Sequence, residues 1–275
     1  MAGVELDHHR GGAGDPLVLI HGLGHTWRAW KPMLPLLEEH FDVLAVDLPG
    51  FGYSPPLSHG AESSPETLAD AVERAMDAAG FERPHIAGNS LGGWIALELA
   101  RRGRAATVTG ISPAGLAWGR EGAWGAAILR AMRWLARNAP APEALQRSRI
   151  GPTLLAGPTF CRPWRIRPDD LMEQTRLLAD APGFEPTLDK TLGTQIRGLD
   201  AIRCPVLLLW GTRDVVLLPR QGRRFERLIP GAELRYLRGL GHTPMTDDPD
   251  QLAAAIADFA APAAADRPAA VSGVA

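Results

Sequence analysis

The run Gly88-Asn89-Ser90-Leu91-Gly92-Gly93 sets a serine between glycines in a G-x-S-x-G pattern. With 30 glycines in the chain the pattern alone is weak, so its flanks must decide what it means. His85-Ile-Ala87 reads as a buried strand leading into it, and Leu91 to Arg102 as a helix leading out. So abrupt a strand-to-helix turn strains its middle residue, and flanking glycines remove the Cβ clashes. Ser90 Oγ would then stand at the carboxyl edge of a sheet, where the helix N-terminus favours developing negative charge. The competing reading is a glycine-rich turn that merely packs a helix closely on its strand.

A serine hydroxyl attacks a carbonyl only when a base takes its proton. Seven of the eight histidines (8, 9, 21, 25, 40, 59 and 85) precede Ser90, and His242 alone follows it. His242 sits in Gly239-Leu-Gly-His-Thr-Pro244, between the last expected strand and the last helix, where it could reach back over the sheet edge. For a nucleophile on such a turn the expected chain order is serine, acid, histidine. Asp214, in Trp210-Gly-Thr-Arg-Asp-Val215 directly after an apolar strand, fits; Asp200 precedes that strand, and Asp247 and Asp248 follow the histidine. A surface histidine capping the next helix, and an Asx-turn aspartate pairing with Arg213, are the bland alternatives.

Acyl chemistry also needs donors aimed at the developing oxyanion. The backbone N–H of Leu91 is one candidate. The N–H of Leu23, in His21-Gly-Leu-Gly24 after the strand Leu17–Ile20, is the other. His21 reads as structural, and Asp47, in Asp47-Leu-Pro-Gly-Phe-Gly-Tyr-Ser54, as a tie for its loop.

The positioning elements alternate. Leu17–Ile20, Val43–Val46, His85–Ala87, Ala106–Ile111, Pro205–Trp210 and Glu233–Leu237 are expected strands. Helices are expected over Trp27–His40, Pro65–Ala79 (Ser64 as N-cap), Leu91–Arg102 and Pro249–Phe259. That rhythm predicts an α/β fold with a mostly parallel, doubly wound sheet. Residues 114–193 break it and read as a helical insertion, leaving 1–113 and 194–260 as the core. From Ala261 to 275 the chain is Ala/Pro-rich and reads as a frayed tail.

The 275 residues suffice for a large core without staples, and a formal charge of −2 gives no global field toward nucleic acid. Cys161 and Cys204 form no metal or disulfide spacing. No apolar run is long enough to span a bilayer and Met1–Arg10 does not read as a leader, so a cytoplasmic location is expected. Only two of the 29 basic residues, Lys31 and Lys190, are not arginine. Nine arginines against Glu121 and Glu143 crowd residues 114–167, which reads as a solvated face or as an attractor of anionic groups.

Together, His-Gly-Leu-Gly, Asp-Leu-Pro-Gly-Phe-Gly-Tyr-Ser, Gly-Asn-Ser-Leu-Gly-Gly, Gly-Thr-Arg-Asp and Gly-His-Thr-Pro, in this order, resemble the α/β-hydrolase fold superfamily. The resemblance spans about residues 15–260 apart from 114–193. It implies a Ser90–Asp214–His242 triad, an oxyanion hole at Leu23 and Leu91, a helical cap over the pocket, and no metal or cofactor. Haloalkane dehalogenases and soluble epoxide hydrolases resemble the chain but use an Asp nucleophile, whereas residue 90 is Ser. Meta-cleavage carbon–carbon hydrolases share the Gly-Asn-Ser-x-Gly-Gly turn but usually carry Trp after the histidine, where this chain has Thr243.

The broader expectation is ester or lactone cleavage on a small to medium, largely apolar acyl substrate. Carbon–carbon hydrolase and acyltransferase chemistry remain alternatives on the same triad. A ligand-binding protein that keeps the fold without turnover is the alternative of another class. Trp27, Asn89, Trp118, Trp124 and Trp134 are candidate pocket residues.

Overall fold

A computed structural model describes residues 5–58, 60–138 and 151–265. Its elements run β1 (His8–Gly11), β2 (Asp15–Ile20), α1 (Leu34–Leu37), β3 (Phe41–Val46), α2 (Pro65–Ala78), β4 (His85–Asn89), α3 (Leu91–Arg101) and β5 (Thr107–Ile111). The next are α4 (Glu121–Asn138), α5 (Gly151–Ala156), α6 (Pro168–Asp180) and α7 (Phe184–Thr191). Last come β6 (Val206–Gly211), α8 (Gly222–Leu228), β7 (Glu233–Leu237), α9 (Pro244–Asp247) and α10 (Pro249–Ala265).

The seven strands form one sheet in the order β1-β3-β2-β4-β5-β6-β7, antiparallel only where β1 meets β3. Strand periodicity decides how it is covered. Val18 and Ile20 of β2 point into one core with Leu68 and Val72 of α2 and Trp94 of α3. Leu17 and Leu19 point into the other, against Trp30, Leu37, and Leu252 and Ile256 of α10. A strand buried on both faces reads as an unbroken apolar run, which is why β2 was legible.

Two expectations need correction, and one strand lies outside the expected set. The helix expected over Trp27–His40 is a 3-10 turn at Trp27–Trp30 followed by the single helical turn α1. Pro32 and Pro35 remove the N–H groups a continuous helix would need there. Strand β1, with the sequence His-His-Arg-Gly, has no apolar pattern and pairs only at the sheet edge. The helix α10 continues through Ala265, so 261–265 are helical rather than frayed. The rest of the expected tail, 266–275, lies outside the described residues.

The ends of β2 and β3 are joined by one side chain. His21 Nδ1 donates to the Gly22 carbonyl at 2.7 Å, and Nε2 accepts the Leu48 N–H at 2.9 Å. Both nitrogens are used in a neutral ring, and burial pushes its pKa down to about 3. The unfolded chain therefore binds a proton at this residue between about pH 6.5 and 3 that the folded chain refuses, so stability falls as pH falls through that window. At pH 5 the difference at one such site is about 2 kcal/mol. Urea unfolding at pH 7 and pH 5 should therefore show a pH-dependent loss about 2 kcal/mol smaller in His21→Leu than in wild type. Equal losses would show that His21 is not held neutral.

Candidate active site

Ser90 closes β4 and precedes α3 with φ 56° and ψ −114°, a left-handed conformation that a non-glycine residue adopts only under constraint. The constraint is visible. Ser90 N–H donates to the Ile111 carbonyl of β5 at 2.9 Å, while its own carbonyl accepts from Ala114 at 2.9 Å and Trp94 at 3.1 Å. A Cβ on Gly92 would lie 2.2 Å from the Ile20 carbonyl oxygen, so only glycine lets α3 sit this close to β2. Leu91, as the first helical residue, has an amide with no intrahelical acceptor.

Asp214 follows β6 and His242 follows β7, so adjacent parallel strands deliver both to the same edge. Asp214 Oδ2 accepts from His242 Nδ1 at 2.7 Å, and Oδ1 accepts the amides of Val216 at 2.9 Å and Leu217 at 2.8 Å. A carboxylate can only accept, so Nδ1 carries the proton and Nε2 is left as the acceptor. Both side chains are buried. Asn89, beside Ser90, donates to the His242 carbonyl at 2.9 Å and the Ile111 carbonyl at 3.2 Å, tying the histidine loop to the end of β4.

The loop after β2 completes the arrangement. A Cβ on Gly22 would lie 3.2 Å from Ser90 Cβ, so this backbone runs directly against the serine. Ser90, Leu23 and Leu91 share a cavity of ≈ 810 Å³ with Trp94, Leu188 and Val216, within the size range of small-molecule sites. The small-residue face of α4, at Gly122 and Ala126, makes one wall. A lesser cavity of ≈ 40 Å³ meets the first at Leu23 and Leu129 and holds His25, Thr159 and Phe160. Burial, with the nearby His242 adding to it, pushes the His25 pKa down to about 4.

The pocket candidates fare differently from Ser90, Leu23 and Leu91. None of Trp27, Asn89, Trp118, Trp124 and Trp134 is found on the walls of either cavity. Asn89 is fully buried, with its Nδ2 group given to the two carbonyls above. Trp27 donates from Nε1 to Asp7, with Arg28 stacked on its ring. Trp118, Trp124 and Trp134 are 54%, 56% and 65% exposed, so their part of the segment turns small residues, not tryptophans, toward the cavity. The arginine excess is partly consumed: Arg130 pairs with Glu185 and Asp189, and Arg133 lies over Phe184 and donates to the Ala181 carbonyl. Arg147 and Arg149 lie outside the described residues.

Asp47 does tie its loop, accepting the amides of Trp27 at 2.6 Å and Tyr53 at 3.1 Å, while burial raises its pKa to about 6. Asp247 lies outside the expected set of site residues. Set aside because it follows the histidine, it is fully buried and accepts three amides, one of them from Gly241 next to His242. Its position in the turn after Gly-His-Thr-Pro was the available signal. Among the described residues no cluster of His, Cys, Asp and Glu is arranged to hold a metal ion, and no helix is long and apolar enough to cross a membrane.

Comparison with known proteins agrees with this architecture. The model of the alpha/beta hydrolase family matches residues 17–255. Epoxide hydrolase EphH of Mycobacterium tuberculosis is 36% identical over 217 residues, covering 71% of this chain and 94% of that protein. The 2-hydroxy-6-oxo-2,4-heptadienoate hydrolase of Pseudomonas putida is 36% identical over 103 residues, 36% of this chain and 37% of that enzyme. Among solved structures, a bacterial membrane phospholipase A superposes with a TM-score of 0.79 at 26% identity, covering 96% of this chain and 85% of that one. From the sheet order, the strand-end residues and the match over 17–255, the chain belongs to the alpha/beta hydrolase family.

Proposed function

We propose that this protein is a serine hydrolase that cleaves an ester or related acyl bond of a small to medium, largely apolar substrate. The observation that carries the reading is the buried Asp214 carboxylate on His242 Nδ1, with a strained Ser90 turn held beside the same loop. Ser90 Oγ attacks the carbonyl carbon while His242 Nε2 takes its proton. The tetrahedral oxyanion is received by the N–H groups of Leu23 and Leu91. Collapse expels the leaving group, which takes the proton back from His242. Water, deprotonated by the same nitrogen, then releases the acid and restores Ser90. Asp214 fixes the imidazole tautomer and stabilises the imidazolium, and no cofactor enters the scheme.

The helices between β5 and β6 act in this reading as a cap. They supply Gly122, Ala126, Leu129 and Leu188 to the cavity walls, and the apolar character of those side chains supports an apolar acyl group. A carbon–carbon hydrolase is the second reading, favoured by the Pseudomonas putida relative. Ring opening of an epoxide, the activity in the name of the Mycobacterium relative, is the third outcome to test.

A fluorophosphonate probe should label wild type and leave Ser90→Ala unlabelled, and p-nitrophenyl esters should be turned over only by wild type. Folded protein that is neither labelled nor active would overturn the hydrolase reading; labelling that survives Ser90→Ala would overturn the nucleophile. Styrene oxide and a vinylogous 1,5-diketone, run beside the esters, separate the three activities. Asp214→Asn, which presents His242 with the wrong hydrogen-bond partner, should lower kcat on the order of 10⁴-fold with little change in KM. A loss under about tenfold would remove Asp214 from the triad.

A further inference from the structure

Resting on that reading, one carboxylate outside the triad has a geometry that a surface aspartate would not need. Asp247 lies in α9, on the turn that follows His242, and is fully buried. Its Oδ2 accepts the amides of Gly241 at 2.9 Å and Cys161 at 3.0 Å, and its Oδ1 accepts the amide of Arg162 at 2.7 Å. Its main-chain carbonyl accepts from Arg162 Nη1 at 2.9 Å and Arg165 Nη1 at 2.8 Å. Next to it the Thr243 amide donates to the Thr159 carbonyl at 2.9 Å. A Cβ on Gly241 would come within 2.9 Å of that same carbonyl oxygen, so the two backbones touch.

Two chain segments far apart in sequence thus converge on one buried anion. The first carries the base, with Gly241 and Thr243 on either side of His242. The second is residues 159–165, between β5 and β6, whose Thr159 and Phe160 line the lesser cavity with His25. Amides bound to a charged acceptor in a low-dielectric interior are held more stiffly than neutral pairs. Asp214 fixes the ring of His242, and Asn89 holds its carbonyl at 2.9 Å; neither contact ties the loop to residues 159–165.

We propose that Asp247 is a further positioning residue for His242, clamping its loop to segment 159–165 so that the base and that wall of the cavity keep one register. It touches no reacting atom and acts through His242. A carboxamide keeps the shape of Asp247 but presents an N–H to one of the three amide donors, so the loop must shift.

The test is Asp247→Asn beside Glu98→Gln, which weakens another buried carboxylate, one that binds Arg101 and Arg102 near the end of α3 distant from Ser90. For a p-nitrophenyl ester, Asp247→Asn should lower kcat by about 10- to 100-fold with KM changed less than about threefold. Fluorophosphonate labelling should slow by the same factor, and amide exchange should rise together in 239–243 and 159–165. Glu98→Gln should keep kcat within about twofold of wild type.

Asp247→Asn with kcat within about threefold of wild type, or with exchange raised in one segment only, overturns the proposal. If Asp247→Asn fails to fold, Arg162→Met/Arg165→Met, which leaves the carboxylate in place, decides: kcat should fall at least about threefold, and unchanged kcat overturns the clamp. Wild type that neither labels nor turns over any ester overturns the hydrolase reading instead, and this proposal with it.

Discussion

A carboxylate sealed from water must find hydrogen-bond donors, and Asp214 meets that demand in a way that orders everything around it. Its Oδ1 takes the amides of Val216 and Leu217, which curls the chain immediately after β6. Its Oδ2 is left for one donor, and His242 Nδ1 supplies it at 2.7 Å. That single contact sets a tautomer, and the tautomer decides which imidazole nitrogen is free to accept a proton. The pairing requires β6 and β7 to be parallel neighbours, and they are, with Trp210 opposite Tyr236 and Gly211 opposite Leu237.

Against this stands the strain at Ser90. A left-handed serine is unfavourable by itself, and it persists because the surrounding sheet over-determines it. Its amide and carbonyl are both engaged with β5 and the residues after it, and Gly92 lets α3 press on β2. The rigidity that holds the serine comes from the two faces of the sheet, where alternate residues of β2 enter separate apolar cores. The site is thus assembled from strand ends whose positions were fixed by burial far from it.

Much of this was legible in the chain because the information is local. Doubly buried strands appear as apolar runs, and the turn around Ser90 needs glycines that any reader can see. His242 stood out by elimination. What failed to show did so for physical reasons. Strand β1 is held by pairing to β3 rather than by burial, so its side chains carry no pattern. Trp118, Trp124 and Trp134 drew notice for their size, yet room in a cavity is made by residues that lack size, such as Gly122 and Ala126. Asp247 was discarded because chain order suits only one role for a carboxylate, and order says nothing about which amides a buried anion gathers from a segment more than eighty residues away.

If Ser90 is the nucleophile, the acyl group resides on it during turnover. Reaction with a slowly turned-over ester, quenched in acid within a single cycle and followed by peptide mass spectrometry, addresses it directly. An acyl mass increment is expected on the peptide that carries Ser90 and on no other, formed before the free acid. Free acid produced with no acylated intermediate at any time, or the increment on a different residue, would contradict it.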